Sequence, residues 1–189
     1  MIHKIAICAG HYPVKPGLQA NGFSEHDEAV KVTKHLEKML AKDGYDVRVT
    51  GGKLTDKVAS INNFQSEIAI DIHFNGHEDD RVGGIETLHS GFLKSLRLAK
   101  CVQKRLVERL NRLNRDTKIG FYQGDPKRGL LYFLAHTHCP AIITEGLFLS
   151  NAEEAMMLET ENTHILYATA IAEGINDYFI NNIRRELKE

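Results

Sequence analysis

Three side chains suited to metal binding or proton transfer follow short apolar runs in this sequence. They are His11, His73 and Glu145, and each stands where a predicted β-strand ends. In an open α/β sheet, ligands bind beyond the carboxyl ends of the strands, where residues distant in sequence meet. Imidazole and carboxylate groups gathered in one cleft are typical of a metal site or a catalytic site. The pattern therefore predicts such a site at one rim of the sheet.

The alternative is a structural role for each residue taken separately. A single histidine at a strand end is often only a hydrogen-bonded structural residue. Glu145 is different, because an acid that follows a mostly apolar strand is costly to bury without a partner. The expected convergence of three such residues favours a functional site.

A fourth candidate group lies in residues 24–28, at the predicted start of a helix. Ser24 and Asp27 resemble a capping box, and acids in a first helical turn interact favourably with the helix dipole. That explains Glu25 and Glu28 without any function. The functional alternative is that one of these carboxylates faces His11. The composition of the segment leaves both interpretations open.

Short strand-like runs alternate with longer helix-like runs along the chain. Strands are predicted at residues 5–9, 45–50, 68–72, 84–89 and 140–144, with a weaker signal at 130–134; helices are predicted at 24–42, 55–65, about 92–113 and, as a pair, 152–183. Such alternation indicates a largely parallel sheet covered by helices on both faces. The fold class is α/β, and residues 1–189 are expected to form a single domain.

The composition narrows the possible partners and the compartment. The net charge is −1, so no overall field attracts the chain to nucleic acid, and no run approaches the ~20 apolar residues of a membrane span. The three cysteines are odd in number and lack a CxxC pair, which predicts reduced core residues rather than disulfides. The first residues are too short an apolar run for a signal peptide, so we expect a cytoplasmic protein before release.

Four motifs in order give the sequence a specific resemblance. They are Ala9-Gly10-His11, Glu25-His26-Asp27, Asp71-Ile72-His73-Phe74-Asn75 and Thr144-Glu145-Gly146-Leu147-Phe148-Leu149-Ser150-Asn151. Together they resemble the zinc-dependent N-acetylmuramoyl-L-alanine amidases of the third amidase class, found in autolysins and phage endolysins. The resemblance extends from Ile2 to about Phe179. It implies a phosphorylase/hydrolase-like α/β fold with a mixed, mainly parallel sheet.

The resemblance also implies a function and a set of site residues. The expected activity is zinc-dependent hydrolysis of the amide bond between N-acetylmuramic acid and L-alanine in peptidoglycan, which lyses the cell wall. One zinc ion per chain would be held by His11, Glu25 and His73. Glu145 would be the catalytic residue, and Asn75 would contact substrate. Without a recognisable signal peptide or wall-binding module, a phage or prophage lytic enzyme is favoured over a secreted autolysin.

Two departures from the family pattern affect loops rather than the expected ligands. Tyr12-Pro13 replaces the glycines that usually follow the first histidine, and Glu145 is followed by Gly-Leu-Phe rather than by an apolar residue and then Gly-Phe. Two other functions remain open: a zinc peptidase that cuts within the stem peptide, and a non-catalytic wall-binding protein of the same fold.

Other polar features are interpreted as structural. His136 and His138 have a spacing that suits a metal, but a loop or strand-edge role is favoured. Basic residues recur along residues 94–115, where a solvated outer face is the simplest interpretation and binding of an anionic wall polymer is the alternative.

Overall fold

The centre of the protein is a six-stranded sheet. The structure is a computed structural model, and it describes the backbone of residues 2–186 and the side chains as far as residue 181. The strands are β1 (Lys4–Ala9), β2 (Gln19–Ala20), β3 (Phe23–Ser24), β4 (Asp46–Thr50), β5 (Ile68–Asn75), β6 (Ile85–His89), β7 (Asn114–Ile119) and β8 (Ala141–Phe148). The helices are α1 (Glu25–Lys42), α2 (Leu54–Phe64), α3 (Leu93–Leu110), α4 (Tyr132–His136), α5 (Ala152–Met157) and α6 (Glu161–Glu186).

The order of the sheet is β4-β1-β5-β8-β6-β7, while β2 and β3 form a separate hairpin. Neighbouring strands run parallel except for β6 and β8, which are antiparallel. The predicted α/β fold with a mixed, mainly parallel sheet is therefore confirmed. The extent of the predicted single domain, residues 1–189, stays a prediction, and Met1 and residues 187–189 lie outside the described residues.

Helices cover the two faces of the sheet unequally. Ile5 and Ile7 of β1 point into the large core formed with α1, α3 and α6. Ala6 and Cys8, which alternate with them, belong to a smaller core under α2 and α4. Because successive side chains of a strand point to opposite faces, one strand serves both cores. The smaller core leaves room for a cleft beside it.

The strand predicted at residues 130–134 is wrong. Leu130 makes a single bridge with Phe121, and the following residues form α4, whose Phe133 and Leu134 are buried in the smaller core. A short apolar run is compatible with either a strand or a buried helical turn, so periodicity alone did not separate them.

The structure differs from the prediction in two ways near the end of α3. The helix ends at Leu110, because Asn111 adopts a left-handed conformation (φ 50°), a common way for helices to end. The chain then forms β7, an edge strand that was not predicted. Its sequence, NRDTKI, is polar and mostly exposed, so it carries no alternating apolar signal.

The basic residues of the segment 94–115 are not all solvated, which corrects the simplest interpretation. Arg105 bonds Asp177 of α6 at 2.7 Å, and Arg109 bonds Glu173. These ion pairs join α3 to α6 at the protein surface, beside the larger core. Arg115 lies in β7 rather than on the helix and bonds Glu86 at 3.0 Å.

Two expectations from the composition, reduced cysteines and no membrane-spanning segment, concern the residues that the structure describes. Within them no disulfide forms, and Cys8 is buried in the smaller core. No helix between residues 2 and 186 has the length and apolar character that crossing a bilayer requires.

Candidate active site

The loop after β1 holds His11 in a strained backbone conformation. Its φ of 54° lies in the left-handed region, which costs a residue with a side chain about 1–2 kcal/mol. Gly10 precedes it and donates its N–H to Ile72 O at 2.8 Å. A Cβ on Gly10 would lie 2.7 Å from that oxygen and 2.8 Å from the His73 ring. Only glycine therefore lets the two histidine-bearing segments approach this closely.

The start of α1 is fixed by carbonyl groups of the preceding loop. Glu25 N–H donates to Leu18 O at 2.9 Å, and His26 N–H donates to Pro16 O at 3.0 Å. The predicted capping box is wrong, since Ser24 Oγ is buried and makes no hydrogen bond. The loop carbonyls satisfy the first amides of the helix in its place. Glu25 is thereby held at the helix start, beneath the loop.

His11, Glu25 and His73 meet as a cluster whose ligand atoms all lie within 4.8 Å of one another. Glu25 Oε2 is 3.0 Å from His11 Nε2, and Glu25 Oε1 is 2.7 Å from His73 Nδ1. Burial by itself raises the pKa of Glu25, but the two imidazoles outweigh it and hold that pKa at about 2. The carboxylate is therefore ionised across the ordinary pH range.

Glu28, the alternative candidate on α1, faces away from this cluster. Its Oε2 accepts from His164 Nε2 at 2.6 Å, and its Oε1 accepts from Lys31 Nζ at 2.7 Å. Although burial opposes it, these contacts lower the pKa of Glu28. One helical turn thus separates a carboxylate at the cluster from a carboxylate in a structural ion pair.

Glu145 lies beside the cluster, on the strand next to His73. The two residues are register partners in β8 and β5, so their side chains share one face of the sheet. Oε2 of Glu145 is shielded from solvent and has no hydrogen-bond partner. Burial raises the pKa of Glu145 to about 8, and the nearby His73 imidazole offsets only part of this. A buried carboxyl with a raised pKa beside such a cluster is a candidate for proton transfer.

A pocket of about 360 Å³ opens onto these residues. Its polar wall includes His11, His73 and Glu145, and its other wall consists largely of aromatic and aliphatic side chains: Tyr12, Leu54, Tyr122, Leu131, Tyr132, Phe133 and Ile143. Tyr12, one of the departures from the family pattern, therefore contributes to the wall of the cleft. The cleft can hold an organic substrate against the cluster.

Asn75, the predicted substrate contact, belongs to a neighbouring polar group. Its Nδ2 donates to Glu86 Oε1 at 3.2 Å, and its Oδ1 accepts from Gly76 N–H at 2.8 Å. Glu86 is the register partner of Glu145 on β6 and also bonds Lys118 and Arg115. The structure brings Asn75 close to the site strands, but its amide is already bonded.

The sequence analysis assigned no role to several residues that support the site through hydrogen bonds or close contacts. His26 Nδ1 bonds Gly10 O at 2.8 Å, which ties α1 to the His11 loop. The Tyr167 hydroxyl lies 3.0 Å from both His73 O and Thr144 Oγ1. Asp71 Oδ2 lies 3.2 Å from His73 Nε2. Asp71 had a usable signal, since it interrupts an apolar strand two residues before His73, on the same face.

The histidines that were judged structural, His136 and His138, remain apart from the cluster. His136 stacks on Tyr132, with ring centroids 4.0 Å apart, and His138 N–H donates to Asn62 Oδ1 at 2.9 Å. Two further histidines, His77 and His89, accept from backbone amides two residues further along the chain. Within the residues that the structure describes, the only group of metal-competent side chains that gathers in this way is His11, Glu25 and His73.

A family model described as N-acetylmuramoyl-L-alanine amidase matches residues 5–177, nearly the whole chain. The chain belongs to this family. The resemblance to the N-acetylmuramoyl-L-alanine amidase family is thereby confirmed. Two curated relatives of this amidase are the endolysin of Bacillus phage SPP1, 27% identical over 94% of this chain, and the amidase LytC of Bacillus subtilis, 24% identical over 93%.

Solved structures support the fold of the amidase. The amidase AmiC2 of Nostoc punctiforme superposes with a TM-score of 0.84 at 21% identity, covering 94% of this chain and 97% of that one. The catalytic domain of CwlV from Bacillus (Paenibacillus) polymyxa gives 0.84 at 22% identity, covering 94% and 98%. At such identities the likeness establishes the fold alone. The chain spans 66% of the SPP1 endolysin and 35% of LytC.

Proposed function

We propose that this chain hydrolyses the amide bond between N-acetylmuramic acid and L-alanine, using a zinc ion held by His11, Glu25 and His73. The observation that carries the proposal is the convergence of two imidazoles and a carboxylate beside the buried carboxyl of Glu145. Two histidines and one glutamate are a ligand set of catalytic zinc sites, which keep a further position open for water or substrate.

The donor atoms fit a divalent cation on physical grounds as well. Glu25 is a buried anion, and the buried Oε2 of Glu145 lacks a partner, so a positive charge between them offsets the cost of burying both. The same charge favours the ionised form of Glu145, the form that accepts a proton. Burial lowers the pKa of His73, but the carboxylates of Asp71, Glu25 and Glu145 together outweigh burial and raise it well above its usual value, so zinc competes with a proton for this imidazole.

The roles of the protein's own residues follow from their positions. Zinc held by His11, Glu25 and His73 would supply positive charge that makes water more acidic, toward a pKa of ~7. Glu145 accepts a proton from the water whose oxygen bonds the amide carbonyl carbon, and donates that proton to the amine of L-alanine as the C–N bond breaks. The apolar wall excludes water and holds the substrate against this carboxyl. Asn75 is the proposed substrate contact, and it would exchange its hydrogen bond to Glu86 for one to the substrate.

Product analysis tests the reaction itself. Purified peptidoglycan digested by the chain should release stem peptides that carry a free L-alanine amine and should leave glycan without peptides, as mass spectrometry can show. Shortened peptides that stay attached to the glycan would instead identify the peptidase alternative. Binding to the wall without any release of peptide would identify the non-catalytic alternative.

A pair of substitutions in α1 tests the choice of the carboxylate ligand. Glu25→Ala should lower the zinc content of the purified protein, because it removes the only carboxylate that contacts both histidines. Glu28→Ala should keep its zinc, although loss of the buried pair with His164 should lower stability. Zinc content is measured by atomic emission. The reverse pattern would mean that the ligand is one helical turn further along.

The proposal also covers the substrate, the number of zinc ions and the extent of the catalytic domain. The substrate is the peptidoglycan of the cell wall, with one zinc ion per chain, and residues 1–189 act as a single catalytic domain. The amidase and endolysin named above support action on the wall.

A further inference from the structure

A buried charged pair to which the proposed mechanism assigns no step lies beside the cluster, in the lining of the same pocket. Asp71 of β5 and Lys57 of α2 are each only 2% exposed. Taking charged groups out of water is costly unless close partners compensate them. Lys57 and Asp71 lie on the face of the sheet that carries the smaller core. Their close contacts must therefore compensate the cost of burying two charges.

The contacts of Asp71 lead to one nitrogen of His73. Asp71 Oδ2 is 3.2 Å from His73 Nε2, while the other ring nitrogen, Nδ1, is 2.7 Å from Glu25 Oε1. A neutral imidazole carries its proton on one nitrogen and a lone pair on the other. The acceptor at Nε2 selects the form that donates Nε2–H to Asp71. That form presents the Nδ1 lone pair to the His11–Glu25–His73 cluster.

The contacts of Lys57 join the two strands that carry the histidines. Its Nζ donates to Ala9 O, the last residue of β1, and lies 3.6 Å from Asp71 Oδ1 on β5. Asp71 Oδ1 has no hydrogen-bond partner of its own, so the Lys57 charge is what compensates it. The lysine thus fixes the orientation of Asp71 and, through Ala9, the strand end from which His11 departs.

We propose that Asp71 and Lys57 are positioning residues for the metal site: Asp71 holds His73 with Nδ1 toward the metal, and Lys57 holds Asp71. The inference rests on the proposed zinc site. Carboxylates that accept from a metal-bound histidine typically change metal affinity by about 10–100-fold when they are replaced. The competing explanation is that the pair only fills space and stabilises the fold.

The test measures the zinc dissociation constant by competition with a chelating dye. Asp71→Asn keeps the shape but removes the charge, and Lys57→Met removes the group that compensates Asp71. Both should weaken zinc binding by about 10–100-fold, and Lys57→Arg should recover part of the loss relative to Lys57→Met. In zinc-loaded wild type, NMR should show a slowly exchanging Nε2–H of His73, and this signal should exchange faster in Asp71→Asn.

Glu28→Gln provides the matched control. Glu28 is also a buried carboxylate that contacts a histidine, His164 at 2.6 Å, but that histidine is not in the cluster. The control should lose stability and keep the zinc affinity of the wild type. Wild-type affinity in both Asp71→Asn and Lys57→Met would overturn the inference and leave the zinc site standing. A wild-type chain that binds no zinc would overturn both.

Discussion

Glu145→Gln should fold normally, hold zinc at the wild-type stoichiometry and still bind wall fragments, while turnover falls by ~100-fold or more. Glutamine keeps the shape of the side chain but cannot accept and return a proton. The substitution leaves His11, Glu25 and His73 unchanged, so the loss isolates proton transfer from metal binding. Turnover is measured as release of L-alanine amines from peptidoglycan, and zinc is measured on the same sample.

Both measurements are needed because loss of a ligand would abolish activity as well. A Glu145→Gln protein without zinc would make this residue a ligand rather than a base. Cleavage at near wild-type speed would contradict the mechanism. Glu86→Gln, at the register partner of Glu145 on β6, is a useful comparison, since Glu86 is already bonded to Lys118 and Arg115.

His11→Ala and His73→Ala should each lose most of the bound zinc and, with it, most of the activity. Each removes one of three protein ligands, and a site with two ligands binds zinc much more weakly. Ligands that bind only the folded state stabilise it, by about 2.7 kcal/mol at a concentration of 100 Kd. Excess zinc should therefore raise the Tm of the wild type by roughly 5–10 °C for a chain of this size, and that of the variants far less.

Chelation tests the same site without substitutions. A chelator should abolish activity, and added zinc should restore it in the wild type. His136→Ala is the matched control, because His136 is an exposed histidine that stacks on Tyr132 rather than joining the cluster. It should retain zinc and its thermal shift. Full zinc occupancy in His11→Ala or His73→Ala would remove that residue from the ligand set.

The sequence predicted best those elements whose apolar residues form a clear pattern along the chain. The amphipathic helices α1 and α3 carry a long helical period, and the buried strands β1, β5 and β8 are continuous apolar runs rich in isoleucine. The prediction failed where the pattern is short or polar. The run at residues 130–134 is too short to distinguish a strand from α4, and β7 is a polar edge strand.

The candidate residues of the site were predicted from the sequence, because their types and order suffice to match the family motifs. His11, Glu25, His73 and Glu145 needed no coordinates for that. The composition of residues 24–28 left Glu25 and Glu28 open as candidates, and the family resemblance implied Glu25. The packing of α1 against the His11 loop on one side and α6 on the other puts Glu25 beside both histidines and Glu28 beside His164.

Only the tertiary structure determines which segments far apart in the chain contact one another. Lys57 reaches Asp71 and Ala9 because α2 packs beneath the ends of β1 and β5, and the Tyr167 hydroxyl reaches His73 O because α6 crosses the opposite face of the sheet. Local periodicity fixes which face of an element is apolar. It does not fix which polar groups meet once those faces are buried, because that depends on the packing of the whole sheet.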